Sequence, residues 1–70
     1  MQNIQEQITD SQVFTTAQAA KVLGVNKRTL DNWRSLGRGP AYMKYSKRQV
    51  RYLGKDLSAY KHVHRVEPQN

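Results

Sequence analysis

The chain contains no cysteine, which removes disulfide bridges and thiolate zinc sites together and fits a reducing cytosol. Long apolar runs are missing too. No stretch of about 18 apolar residues reads as a membrane span, and the opening MQNIQEQITDSQ lacks the basic-then-apolar order of a secretory signal. Acids are scarce: five face twelve lysines and arginines, for a net charge of +7. There is no acid pair, no glycine-rich phosphate loop and no thiol nucleophile, and the two histidines lie near the C-terminal end. These shortages argue against an enzyme. The expectation is a non-enzymatic, intracellular protein that needs no cofactor or metal.

What is present is basic charge in one place. Seventy residues suffice for one domain with one thin core, and the pI near 10.2 suits a polyanionic partner. Between Lys21 and Lys55 lie ten basic residues and a single acid, Asp31, so this middle half carries net +9 while the two ends together carry -2. By composition alone this is as much a solvated surface as a nucleic-acid site. The order of elements along the chain separates the two.

Residues 1–12 are polar and are expected to form a flexible arm. A domain over 13–64 follows, with 65–70 as a disordered tail. Val13-Phe14-Thr15-Thr16 is β-prone, and Ala17 to Leu23 places Ala19, Ala20 and Leu23 on one helical face, with Thr15 or Thr16 as its cap. Gly24 is suited to end that helix, and Asn26 to cap a second from Lys27 to about Leu36, with Leu30 and Trp33 inward. Its other face offers Lys27, Arg28, Asp31, Asn32 and Arg34. After Gly37-Arg38-Gly39-Pro40 the alternation predicts two strands, Ala41 to Tyr45 and Gln49 to Leu53. Met43, Tyr45, Val50 and Tyr52 are expected inward, Lys44, Gln49 and Arg51 outward, and Ser46-Lys47-Arg48 at the tip. A third helix, Lys55 to about Val63, closes the core with Leu57 and Tyr60.

Two helices joined by a tight turn, then a basic hairpin, predict a mainly α fold with a small β-hairpin (α+β), a winged helix-turn-helix. The second helix fits the major groove, about 12 Å wide, and the hairpin tip reaches a neighbouring groove or its phosphates. Lys27 and Arg28 in the first turn oppose the helix dipole, which a nearby phosphate backbone explains better than stability does. Duplex DNA is therefore the expected partner. The candidate contact residues are Thr16, Asn26, Lys27, Arg28, Thr29, Asp31, Asn32 and Arg34 from the helices, with Lys44, Ser46, Lys47, Arg48 and Arg51 from the wing. Asp31 reads equally as a surface acid or as a selector that accepts from cytosine N4 or repels wrong sequences.

Thr16-Ala17-Gln18-Ala19-Ala20, Leu23-Gly24-Val25-Asn26, Thr29-Leu30 with Trp33-Arg34, Gly37-Arg38-Gly39-Pro40, and Val50-Arg51-Tyr52 with Asp56-Leu57 occur in an order and spacing that resemble one family. It is the excisionase and AlpA-like branch of the MerR-type winged helix-turn-helix proteins of phages and integrating elements. The resemblance covers roughly residues 14 to 60 and implies base contacts by Arg28 and Asn32 and a wing contact by Arg48. It implies either an excisionase, a recombination directionality factor that bends attachment-site DNA for a site-specific integrase, or a small transcriptional regulator of a mobile element. The first is favoured by the lack of a long coiled coil, with cooperative self-association on DNA and a cytoplasmic, nucleoid-associated location. The chain departs from the family at Ser46, where glycine is common, which leaves the wing turn open, and at Tyr60, where tryptophan is common.

Other readings of single features are plainer. Trp33 belongs to the core by its spacing from Leu30, the alternative being a stacking role on a base. The tyrosines around the hairpin would also suit a single-strand stacking platform, and an RNA-binding or protein-interaction module is the remoter alternative. His62 and His64 point apart on a helix, so a metal site is not expected there.

Overall fold

The computed structural model describes residues 9–66 and 68. Strand β1 (Val13–Thr15) leads directly into helix α1 (Thr16–Leu23), then α2 (Lys27–Ser35), the hairpin β2 (Met43–Ser46) and β3 (Gln49–Leu53), and helix α3 (Gly54–Val63). The sheet is antiparallel with order β1-β3-β2. The predicted two-stranded hairpin is thus enlarged by a third strand, in which Phe14 lies opposite Tyr52. Ala41 and Tyr42 stay outside the sheet.

Local chemistry sets the helix ends. Thr15, not Thr16, caps α1: its hydroxyl accepts from the Gln18 N–H at 3.2 Å and the Gln18 side chain accepts from the Thr15 N–H at 2.9 Å, a reciprocal capping box. Gly24 then takes φ +75°, a left-handed conformation that a side chain would resist. The Val25 N–H returns to the Ala20 carbonyl. Asn26 Oδ1 restarts the chain as α2 by accepting from the Thr29 N–H and hydroxyl, both at 2.9 Å. At the far end the Arg38 N–H closes on the Trp33 carbonyl at 2.7 Å. Gly39 takes φ +90° and passes so close that an added Cβ would sit 3.1 Å from the Trp33 ring, so a side chain here would be strained and would crowd the indole.

Helix α3 has no side-chain cap at Leu53. Its first N–H groups are instead satisfied from the start of the domain, Gly54 by the Gln12 carbonyl at 2.8 Å and Lys55 by the Asp10 carbonyl at 3.0 Å. Residues 10–12, expected within a flexible arm, are therefore fastened to α3; residues 1–8 of that arm lie outside the described residues. Of the expected tail, Arg65, Val66 and Pro68 are exposed.

The core gathers Phe14, Ala19, Ala20, Leu30, Val50, Tyr52 and Leu57, with Val22, Leu23, Val25 and Trp33 packed against it. The small Ala19 and Ala20 let α1 come close to its neighbours. Trp33 is half-buried with its ring 5.8 Å from that of Tyr60, as its spacing predicted. Val50 and Tyr52 point inward as expected, but Tyr45 does not: it is 66% exposed, and Met43 is only half-buried. The cause is a bulge. Lys44 pairs with Val50 and Ser46 with Gln49, leaving Tyr45 as an extra residue, and such a residue breaks the two-residue alternation.

Candidate nucleic-acid interface

A cleft of about 380 Å³ opens between the start of α1, one face of α2 and the hairpin. It brings together Thr16, Lys27, Asp31, Arg34, Lys47, Arg48 and Arg51 from the predicted set, along with Thr15, Ala17 and Val50. Five cations therefore line it against one acid. Neither α1 nor α2 carries an acid in its first turn, so no carboxylate there offsets the partial positive charge of the helix starts.

Arg34 occupies the back of this cleft with its side chain only 20% exposed. Nη1 donates to Tyr52 Oη at 2.9 Å and to Thr16 Oγ1 at 3.3 Å, and Nη2 donates to Asp31 Oδ1 at 2.6 Å. The guanidinium also lies 5.8 Å from the centre of the Tyr42 ring. One side chain thus ties α2 to α1, to β3 and to the segment before β2. Partial burial disfavours the charged guanidinium, but hydrogen bonds to Tyr52 and Asp31 more than offset that and hold its pKa above the ordinary arginine value. Arg34 and Thr16, read in the sequence as facing DNA, are here bonded to each other, and Thr16 is buried. Asp31 also meets Lys27 Nζ at 3.0 Å. Its partial burial works against ionisation, yet the hydrogen bonds from Lys27 and Arg34 keep its carboxyl below the usual aspartate value.

The remaining candidates fall outside the cleft lining. Asn26 and Thr29 serve each other as the cap of α2. Arg28 and Asn32, one turn apart, are exposed on α2, and Lys44 and Ser46 are exposed on the hairpin. Ser46 pairs with Gln49 around Lys47 and Arg48, and no non-glycine residue among those described takes a positive φ. The turn therefore closes without the left-handed residues usual in two-residue hairpins. A bulge lies beside it, with Tyr45 as the extra residue. No glycine is required at the tip.

Sequence reasoning missed Thr15, Tyr42 and the Tyr52 hydroxyl as parts of this site. Thr15 was read only as one of two candidate caps, although the spacing Thr15-x-x-Gln18 of a capping box singles it out; the two tyrosines had no signal, because only the fold brings them to Arg34. Among the described residues no group of three or more His, Asp or Glu could hold a metal ion, and no helix is long and apolar enough to cross a membrane.

Two helices across a capped turn, a basic hairpin and a cleft between them define a winged helix-turn-helix DNA-binding protein of the α+β class. The model of the helix-turn-helix domain family matches residues 13–62, and the chain belongs to that family. No curated protein and no solved structure gives a significant match.

Proposed function

We propose that this protein binds duplex DNA sequence-specifically, with α2 in the major groove and the β2–β3 wing on the adjacent groove or backbone. The carrying observation is the cleft, where Lys27 of α2 faces Lys47, Arg48 and Arg51 of the hairpin across the path a phosphate backbone would take. In this reading Arg28 and Asn32 reach base edges, Arg to guanine and Asn to adenine, while Lys44, Ser46, Lys47, Arg48 and Arg51 position the wing on phosphates. Thr16 and Arg34 act from behind by setting the angle of α2. Asn26 and Thr29 hold its N-terminus towards the backbone.

The biological role is that of an excisionase, supported by the resemblance of residues 14 to 60 to the excisionase and AlpA-like proteins. Several copies load side by side and bend attachment-site DNA for an integrase. Footprinting combined with circular-permutation gels on an attachment region tests this: repeated protection and a bend are expected. One isolated, unbent site at a promoter would replace this role by that of a small regulator, and structured RNA that competes as well as duplex DNA at equal salt would overturn the DNA reading.

A further inference from the structure

The two carboxylate oxygens of Asp31 are held in very different ways. Oδ1 is fixed by Arg34 Nη2 at 2.6 Å, and Arg34 is itself pinned by Tyr52 and Thr16. Oδ2 is met at 3.0 Å by Lys27 Nζ, on a side chain that is 60% exposed. That contact is a surface pair with the lysine on the N-terminal side of the acid, the weaker of the two helical orders. Asp31 therefore presents one anchored oxygen and one that is easily released, on a carboxylate still 38% exposed.

The placement of this acid costs the cleft affinity, because a carboxylate repels phosphate, and it is the one acid among the lining residues. An asparagine could accept from Arg34 without that repulsion. What the charge supplies is selectivity. An ionised carboxylate only accepts hydrogen bonds, and in the major groove donors are found only on exocyclic amino groups, cytosine N4 and adenine N6; guanine O6 and N7 and thymine O4 are acceptors.

We propose that Asp31 is a base-selecting residue. On binding, Oδ2 exchanges Lys27 for the exocyclic amino group of a cytosine or adenine, Lys27 moves to a phosphate, and Arg34 holds the carboxylate in place. This rests on the reading that α2 enters the major groove.

Selection from randomised duplexes by the full chain, by Asp31→Ala and by Lys27→Ala tests it. The wild type is expected to fix cytosine or adenine at one position, and the base found distinguishes the two. Asp31→Ala, which can accept from neither base, loses that preference, while Lys27→Ala keeps it and binds all sequences more weakly. A second measurement does not depend on how well a variant folds: deleting the amino group from the selected base, as purine for adenine or 2-pyrimidinone for cytosine, lowers wild-type affinity about tenfold or more. An unchanged wild-type affinity, the same base preference in Asp31→Ala, or loss of the preference in Lys27→Ala overturns the proposal. A wild type that selects no duplex at all fails the DNA-binding reading instead.

Discussion

Helix α2 is fastened at its start by Asn26, along its inner side by Leu30 and Trp33, and at its end by Arg34, which reaches α1, β3 and the Tyr42 ring before β2. The tip of the hairpin has no comparable set of anchors: Ser46, Lys47 and Arg48 all stand exposed beyond a bulged edge strand. Both regions are basic, yet only one is braced. Reading a base edge demands a donor or acceptor held to a fraction of an ångström, whereas gripping a phosphate demands only charge within reach. The proposed division of labour between helix and wing thus rests on how each is supported.

Breaking the brace has the largest expected effect. Arg34→Ala leaves the Tyr52 hydroxyl without its donor and should lower stability by about 1–3 kcal/mol, at roughly 4–8 °C in Tm per kcal/mol for a domain of this size. DNA affinity falls with it. Arg34→Lys rescues little, since one ammonium cannot reproduce the forked contacts. An unchanged melting curve for Arg34→Ala would mean that α2 is not braced there.

On the exposed side of the same helix, Arg28→Ala and Asn32→Ala should leave Tm nearly unchanged and each remove about 1–3 kcal/mol of discrimination between cognate and altered sites. Competition titrations with single-base variants measure this. Asn26→Ala should cost about 1 kcal/mol of stability through loss of the α2 cap, read by thermal melting.

The wing should respond in a different quantity. Lys47→Ala and Arg48→Ala should each reduce the slope of log affinity against log salt by about 0.9, with Tm unmoved and all sequences weakened alike. A sequence-dependent loss at the tip would erase the contrast with α2.

The smallest effect is with pH. Asp31 titrates below its unfolded value, so its stabilising contribution is fully present above the ordinary aspartate range near 4 and is lost as pH falls through the lower folded value. Melting between pH 7 and 5 should not register it. Asp31→Asn should flatten the acid limb of the stability curve, and equal acid limbs would show that the pair contributes nothing.

The parts of this structure written in adjacent residues were legible from the sequence: the Gly24 turn, the Asn26 cap, and the inward Leu30, Trp33, Val50 and Leu57. What escaped depends on partners far along the chain. Strand β1 exists because Phe14 finds Tyr52, and three apolar or β-branched residues alone do not announce that pairing. Arg34 sits on the polar arc of α2, and its periodicity gives no hint that a long side chain folds back toward Tyr52. Tyr45 obeyed the alternation rule in sequence and broke it in space, because a bulge shifts the register by one residue. For the candidate interface, the sequence indicated the elements that line the cleft; the inward tether and the unequal environment of the Asp31 oxygens required the fold.

The carbonyls of Asp10 and Gln12 that receive the first N–H groups of α3 have a consequence for how the chain assembles. A helix whose opening turn is completed by residues more than forty positions earlier gains little by forming alone, because closing so long a loop is entropically costly before any contact rewards it. The last helix and the first strand should therefore appear together in the final cooperative step. Protease cleavage just before Val13 should then speed amide exchange at Gly54 and Lys55, at the opposite end of the polypeptide, before it disturbs the turn between α1 and α2.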